Sequence, residues 1–243
     1  TATSTITAHD TGRTQIFGNV DLLAPLITTD SGADRSIIAT GALRTGFGQA
    51  TADVTPVGLG GRLLLQGASL FHGGRIDLPA GDVQLVAVGL DAGSDVTLGQ
   101  GSILSVAGAR REFDGVPSYA PGGNVSLVSD RGGVLARAGS SLDVSGHAVG
   151  GDAGSVTVTA ARGVIDLAGT WRGTAAAGFH GGALSADGTT IARFNDVAHA
   201  VDANGFSESL DFRQRGTGDL DLNGAGVVAK RFSLTADQGS IHV

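Results

Sequence analysis

One unit of sequence recurs along the chain, and its clearest copy is Ser155–Leu167, which reads SVTVTAARGVIDL. A second copy, Arg231–Val243, reads RFSLTADQGSIHV and aligns so that Gly163 falls on Gly239. An earlier copy, Asn124–Leu135, reads NVSLVSDRGGVL. Each copy alternates apolar and small polar residues, turns at a glycine, and continues with a second apolar segment. Alternation gives a strand one inner and one outer face. Repetition of such a unit predicts stacked turns that bury their apolar faces on one another.

A shorter motif precedes two of these copies. Gly101–Gly108 reads GSILSVAG and Gly139–Gly146 reads GSSLDVSG, and each leads through a polar loop of different length into the next strand. Equivalent strand starts fall at Leu63, Val83, Val125, Val156, Leu184 and Phe232. The shortest spacing is about twenty residues, enough for three short strands and three turns, and the longer spacings indicate insertions in loops.

Composition agrees with thin stacked layers. The 243 residues include 41 Gly but only nine Phe, one Tyr and one Trp, so the core must be built from Val, Leu, Ile and Ala. The chain has no Cys, which excludes disulfides. The net charge is −7 and the arginines are scattered, so nothing favours nucleic-acid binding. No apolar run approaches the roughly 20 residues of a membrane helix. No signal peptide is recognisable, and because the chain begins with Thr we expect an excised piece of something longer.

These patterns predict an all-β protein, a right-handed parallel β-helix (β-solenoid) that forms a single elongated domain over residues 1–243. We expect about eight to nine turns. The predicted inward positions are Leu63, Val83, Leu85, Val96, Leu98, Val125, Leu127, Val156, Val158, Ile165, Phe232 and Leu234. The first sixty residues are less regular; their predicted strands are Ser4–Ala8, Gln15–Phe17, Val20–Ala24, Leu26–Thr28 and Ser36–Thr40, with a corner at Pro25 and an excursion over Gly46–Gly61.

Two insertions interrupt the repeats. The first, 109–121, holds the only Tyr and two of the five Pro. The second, about 189–213, contains apolar residues at helical spacing and predicts one short amphipathic helix lying on the outside of the solenoid. Its spaced residues are Ile191, Phe194, Val197, Ala198 and Val201, Asn195 or Asp196 is its expected cap, and Asn204 and Gly205 its expected end. Phe206, Leu210 and Phe212 are expected to return the chain to a strand.

The repeats resemble the passenger repeats of filamentous-haemagglutinin-type exoproteins, which are adhesins exported by two-partner secretion. The similar pattern is the motif GSxLxVxG, followed by a variable loop and then by GSVTVTA. The strongest carriers are Gly139–Gly146 with Gly151–Ala160, and Leu234–Ile241; Tyr119–Gly123 is also similar. The resemblance implies a right-handed parallel β-helix at the bacterial cell surface or secreted from it, without catalysis. It implies an outer-membrane transporter as partner during secretion and a host or neighbouring-cell molecule as contact. Because the family's secretion domain is missing, it implies an interior or C-terminal-side segment.

Other right-handed β-helices cleave polysaccharides, so an enzyme is one alternative. Such sites need carboxylates that converge on one face. The candidate carboxylates are Asp77, Asp82, Asp95, Asp143, Asp152 and Asp166, which read as outward positions and turns without a carboxylate–arginine cluster on one sheet. We therefore predict no catalysis, with a polysaccharide lyase or hydrolase and a phage tail-spike-like trimeric module as alternatives. No two histidines have His-x-x-x-His spacing and no phosphate-binding motif occurs, so no metal or cofactor is predicted.

Specificity in such a scaffold should lie in the insertions, because stacking constrains the strands. Arg110, Arg111, Phe113 and Tyr119 combine charge with aromatic rings and are the candidate surface-contact residues. The alternative, which we favour, is that Phe113 and Tyr119 fold back to cover a sheet of the solenoid. For the 189–213 insertion we likewise favour a packing role over binding.

Overall fold

The computed structural model describes residues 5–47, 55, 56, 58–224 and 226–243. It contains twenty-four strands and one helix within those ranges. In chain order they are β1 (Ile6–Ala8), β2 (Thr11–Ile16), β3 (Val20–Leu23), β4 (Ile27–Thr29), β5 (Asp34–Ala39), β6 (Leu43–Gly46), β7 (Arg62–Gly67), β8 (Leu70–Gly73), β9 (Arg75–Asp77), β10 (Asp82–Ala87), β11 (Val96–Leu98), β12 (Ile103–Ser105), β13 (Arg110–Phe113), β14 (Val116–Tyr119), β15 (Asn124–Ser129), β16 (Val134–Ala136), β17 (Ser141–Asp143), β18 (Ser155–Leu167), β19 (Thr170–Arg172), β20 (Ala183–Ile191), α1 (Phe194–Ala203), β21 (Ser209–Gln214), β22 (Leu220–Asp221), β23 (Arg231–Ala236) and β24 (Ile241–His242).

The strands stack into three parallel ladders, which we name sheets 1, 2 and 3. Sheet 1 runs β2-β5-β7-β10-β15-β18-β20-β21-β23, sheet 2 runs β3-β6-β8-β11-β16-β18, and sheet 3 runs β1-β4-β9-β12-β17-β19. The first half of β18 pairs with β15 and its second half with β16, so this one strand joins sheets 1 and 2. A regular turn thus adds one strand to each sheet. This arrangement is compatible with an all-β parallel solenoid, as the sequence predicted.

The core follows the predicted inward rows. Leu63, Val83, Val125, Val156 and Leu184 are in Cα register along sheet 1 and are essentially inaccessible to solvent. The other predicted inward residues are also buried except the last two, Phe232 and Leu234, which are partly buried. Those two residues belong to the last strand of sheet 1, which has a stacked neighbour on one side only.

The second insertion was bounded wrongly. β20 extends to Ile191 and β21 begins at Ser209, so the stretch 189–213 includes parts of two strands. Leu210 lies in register between Leu184 and Phe232, which adds a turn that the sequence spacing did not count. Its strand was expected, but it was assigned to the second insertion and not recognised as a repeat, although Gly216 and Gly218 follow it as in the other copies.

The helix was predicted, but its place was wrong. α1 directly follows the sheet 2 end of β20, and Phe194, Val197, Ala198 and Val201 belong to the same hydrophobic core as the strands. It therefore takes the position of a sheet 3 strand instead of lying outside the solenoid. Arg193, with φ 52°, stands at the N-cap, and no side chain caps the helix. The helix ends at Asn204 and Gly205 as expected.

The turn that contains β5 and β6 is irregular. β6, which falls in no predicted strand, pairs with β3 and β8, but among the described residues this turn adds no strand to sheet 3. β4 pairs directly with β9 through one residue pair, Ile27 with Ile76. A Cβ at Gly74 would lie 2.9 Å from the Gly46 carbonyl carbon, so the two backbones meet where only glycine fits. Half of the predicted excursion, residues 48–54 and 57, lies outside the described residues.

One buried polar side chain joins several turns. His72 on β8 is fully buried; its Nδ1 accepts a hydrogen bond from the Thr45 hydroxyl at 2.6 Å, and its Nε2 donates to the Ile103 carbonyl at 3.0 Å. Both ring nitrogens are therefore satisfied in the neutral imidazole. Burial lowers the pKa of His72 to about 4, against a smaller upward effect of the Ile103 hydrogen bond.

Candidate contact surface

The main insertions after β9 collect at one corner of the solenoid, where sheet 3 strands lead back to sheet 1. They are residues 109–121, which include β13 and β14, the loop 144–154 and the loop 173–182; together we call them the loop corner. Backbone hydrogen bonds connect successive levels of this corner. Gly108 donates to Ser145 at 2.7 Å, and Gly146 donates to Thr174 at 2.8 Å. The parallel stacking thus places three loops from consecutive turns side by side.

The first loop is an antiparallel hairpin. Asp114 and Gly115, with φ of 50° and 79°, form the two-residue turn, which fits the Asp-Gly type I′ signature. Phe113 faces Val116 beside the turn, and both side chains are about two-thirds exposed, at 66% and 65%. The prediction that Phe113 folds back over a sheet is therefore wrong. A tight hairpin with its own cross-strand pairs projects from the turn and leaves the residues at its tip without a sheet to cover.

The opposite face of the hairpin does pack. Tyr119 is half-buried, and its ring centroid lies 5.1 Å from that of His147 in the next loop. A Cβ at Gly150 would lie 3.0 Å from the Tyr119 ring and 3.6 Å from the Phe179 ring. Tyr119 thus covers a neighbouring loop, whereas the prediction placed it on a sheet.

The four predicted contact residues separate onto two faces. Alternation along the hairpin strands places Arg111 with Phe113 on one face and Arg110 with Tyr119 on the other. Arg110 is exposed and donates to the Glu112 carboxylate at 2.8 Å on its own face. Arg111 is half-buried. The structure therefore does not bring the four residues into one cluster.

Two further exposed apolar residues belong to the same corner. Val149 is 66% exposed in the second loop and Phe179 is 46% exposed in the third. Both stand among glycines, in the sequences AVGG and GFHGG. A large apolar side chain in a glycine-rich loop has no periodic element to bury it, and this is the signal that could have identified them. Contiguous exposed apolar surface is typical of interaction sites.

Charged groups border the loop corner on the side of sheet 1. The His180 backbone donates to Asp152 at 2.8 Å, and Lys230 donates to Glu208 at 2.7 Å. An open cleft of about 280 Å³ is lined in part by Asp152, His180 and Glu208. The hydrogen bond from Lys230 lowers the pKa of Glu208, and the nearby His180 acts in the same direction. The border of the corner thus carries both signs of charge.

The outer face of sheet 1 carries a second, polar groove of about 460 Å³. Its side chains bond one another along the ladder. Arg62 donates to Asp82 at 3.1 Å, Asn124 donates to Asp82 at 2.8 Å, and Ser155 donates to Asn124 at 2.7 Å. Because these polar side chains bond one another between successive turns, we assign them a structural role in the sheet.

Sheet 3 holds a carboxylate–arginine cluster that the sequence analysis did not find. Its outward row places Asp77, Ser105, Asp143 and Arg172 in register on consecutive strands. Arg75 donates to Asp77 at 2.8 Å, and burial raises the pKa of Asp77 despite that contact. Asp77 and Asp143 lie on strands that are two places apart in the sheet, a strand-to-strand distance of about 9.6 Å. Asp143 accepts a hydrogen bond from the Ser145 backbone at 2.8 Å. Only the cross-strand register reveals the cluster.

Within the described part of the chain, no group of three or more His, Cys, Asp or Glu side chains could hold a metal ion. In the same ranges no helix has the length and apolar character needed to cross a membrane.

Comparison with known proteins leaves the family open. No family model matches the chain, and neither a curated protein nor a solved structure matches it. The resemblance to filamentous-haemagglutinin-type exoproteins therefore depends on the repeat motifs alone.

Proposed function

We propose that this chain is a non-catalytic, structural and adhesive shaft segment of a large secreted or surface-exposed bacterial exoprotein of the filamentous-haemagglutinin type. The observation that carries the proposal is the loop corner. Phe113, Val116, Val149 and Phe179 stand exposed on three successive loops, while the stacked strands beneath them are tightly buried. Exposed apolar side chains on loops held by a rigid scaffold are typical of contact sites.

The finer architecture belongs to the same proposal. We take the solenoid to be right-handed and the chain to be one elongated domain. In a regular turn each sheet 1 strand reaches the next through sheets 2 and 3, and crossover connections between parallel strands are right-handed in about 98% of cases. One hydrophobic core extends from Val20 to Leu220, which supports a single unit.

The proposed location and partners depend on the repeat motifs. The motifs favour export through an outer-membrane transporter and contact with a molecule on a host or neighbouring cell. The sequence that flanks the chain in its gene tests this directly. A two-partner secretion domain upstream supports the exoprotein assignment. A flanking domain of a kind that works in the cytoplasm contradicts it.

Adhesion is tested with the fluorescently labelled chain on a panel of bacterial and animal cells. We expect saturable binding that the double change Phe113→Ser with Phe179→Ser lowers at least tenfold. The matched control is Phe17→Ser, because Phe17 is 85% exposed but lies outside the loop corner. Equal binding by both variants, or equal loss in both, would contradict a contact role for the corner.

One observation favours the alternative that the chain cleaves polysaccharides, namely the carboxylate pair of Asp77 and Asp143. Inverting glycosidases separate their two carboxyl groups by roughly 6.5–9.5 Å, and the raised pKa of Asp77 suits a general acid. Incubation with acidic and neutral polysaccharides, followed by assay of new reducing or unsaturated ends, tests this function. If the chain cleaves a polysaccharide and Asp77→Asn abolishes the cleavage, an enzymatic function would replace the shaft proposal. A stable trimer in sedimentation would instead favour the tail-spike-like module.

A further inference from the structure

An aromatic ring lies on the outer face of sheet 2. Phe71 on β8 points outward and is 43% exposed. Its ring reaches over two glycines, because a Cβ at Gly73 or at Gly99 would lie only 2.6 Å from the ring. The ring therefore fills the space that side chains would take at both positions. The sheet thus holds an aromatic ring against its outer surface and leaves part of that ring open to solvent.

A cleft of about 330 Å³ surrounds this ring, and its polar lining side chains are Arg44, Ser69, Asp95 and Thr97. Arg44 on β6 and Thr97 on β11 stand in Cα register with Phe71, one on each side. Their strands are two places apart in sheet 2, a strand-to-strand distance of about 9.6 Å. We call the four polar residues together with Phe71 the ring cleft.

One side of the ring cleft carries a cation that the protein itself does not pair. Arg44 is exposed, and within the described ranges its guanidinium has no hydrogen-bond or ion-pair partner. Asp21 faces it from β3, but the two side chains form no ion pair. A guanidinium only donates hydrogen bonds, and its planar fork matches both oxygens of a carboxylate. This side of the cleft therefore favours an anionic group.

The other side of the ring cleft offers hydrogen-bond acceptors. Asp95 directly precedes β11, and its Oδ1 accepts a hydrogen bond from the Gly133 backbone at 2.6 Å. Among the described residues, its Oδ2 accepts none. An ionised carboxylate can only accept hydrogen bonds, whereas the Thr97 hydroxyl can donate and accept. This side therefore favours a ligand that carries hydroxyl or N–H groups.

We propose that the ring cleft binds an acidic sugar, one uronic acid unit of a polysaccharide. Such a pyranose carries a carboxylate at one edge, hydroxyls at the opposite edge and C–H groups on its faces. Laid on Phe71, its C–H groups meet the exposed part of an aromatic ring whose face is electron-rich. Its carboxylate then lies towards Arg44 and its hydroxyls towards Asp95 and Thr97. Each group of the ligand thus meets a side chain of complementary chemistry.

Other occupants satisfy fewer of these groups. A neutral sugar leaves the Arg44 guanidinium without a carboxylate. An acidic peptide pairs with Arg44 but brings no C–H face that also carries hydroxyls towards Asp95. The net charge of the chain is −7, so an anion gains nothing from the protein as a whole. Charges beyond about 8 Å are screened at physiological ionic strength, so binding of the acidic sugar depends on direct contact with Arg44.

Isothermal titration calorimetry at physiological ionic strength tests the proposal. The probes are oligomers of galacturonic, glucuronic and mannuronic acid, and a neutral galactose oligomer that matches the galacturonic acid oligomer in linkage and length. We expect saturable binding of an acidic oligomer but not of the neutral one. Phe71→Ala and Arg44→Gln should each weaken binding about tenfold, the loss expected for an aromatic contact or a charged hydrogen bond. Gly73→Ala keeps every contact group but displaces the ring, and should weaken binding by a smaller factor.

Two controls change residues outside the ring cleft. Arg13→Gln makes the same change of charge at an exposed site on sheet 1 and should bind as the parent chain does. So should the double change Phe113→Ser with Phe179→Ser, because the loop corner lies between sheets 3 and 1, so contact there and sugar binding can fail independently. Circular dichroism verifies the fold of each variant.

Four results would overturn the proposal. The first is a parent chain that binds none of the acidic oligomers, and the second is equal binding of the neutral one. The third is unchanged binding by Phe71→Ala, which would place the sugar elsewhere. The fourth is equal binding of polyglutamate that the same variants lose, which would show a site for carboxylates in general.

Discussion

The stacked strands and the loop corner differ in the exposure of their apolar side chains. Leu85 lies between Leu65 and Leu127 of adjacent turns and is fully buried, whereas Phe113 is larger and stands exposed. The difference is positional, because a strand residue gains stacked neighbours above and below and a hairpin tip gains none. In this molecule the stacking carries stability, and the loops are free to carry specificity.

The largest expected effect comes from removing a stacked side chain. Leu85→Ala should lower the free energy of unfolding by about 2–5 kcal/mol, because a cavity opens in a core that cannot collapse around it. Urea denaturation measures the loss. Leu234→Ala is the matched control in the last turn, where the side chain is partly buried, and its loss should be clearly smaller. Equal losses would mean that stacking on both sides is not what stabilises the middle turns.

The next effect is on pH dependence. The folded pKa of His72 is about 4, below the ordinary 6.5, so the unfolded chain binds a proton that the folded chain does not between these values. Stability is therefore full above pH 6.5 and falls as the pH drops towards 4, by up to about 3 kcal/mol. Denaturation from pH 7.5 to 4 measures the slope. His72→Gln should flatten the slope, and a parent chain that is equally stable at both pH values contradicts the burial effect.

A smaller effect is expected at the loop corner. Replacing residues 110–120 with a Gly-Ser bridge should lower the free energy of unfolding by only about 1 kcal/mol, mainly through loss of the contact between Tyr119 and His147. Thermal melting with calorimetry measures it. Phe113→Ser alone should stay within about 0.5 kcal/mol of the parent. A loss of several kcal/mol on excision would show that the hairpin is part of the shaft.

The smallest effect should come from an ion pair on the outer face. Arg62→Gln removes one partner of Asp82, and both groups are substantially solvated. Exposed pairs contribute about 0–1 kcal/mol, and salt screens them. The difference from the parent chain should shrink between 50 mM and 500 mM salt in parallel urea titrations. A difference that does not respond to salt would indicate lost packing of the arginine stem.

The sequence predicted the stacked core because the same physical requirement acts on every turn. Leu63, Val83, Val125 and Val156 recur in matching contexts, and each is buried. It did not predict the additional turn at Leu210, because the helix that precedes this strand replaces a strand and lengthens the spacing between repeats. The cluster of Asp77 with Asp143 was also missed, because it depends on which strands lie in register across variable loops. The exposure of Phe113 depends on the hairpin, which sends the chain away from the core.

The direct pairing of β4 with β9 has a mechanical consequence. Among the described residues, sheets 1 and 2 contain at that level an additional strand that sheet 3 lacks, an excess of about 4.8 Å on two sides of the solenoid. The third side must shorten, and the single residue pair between Ile27 and Ile76 is the contact expected across such a wedge. In the described part of the chain, one residue pair joins β4 to β9 at this level, whereas three pairs join β9 to β12 at the next. We expect an optical-trap pull on the two ends to part the molecule there first, with the turns from β7 onwards unfolding only at higher force.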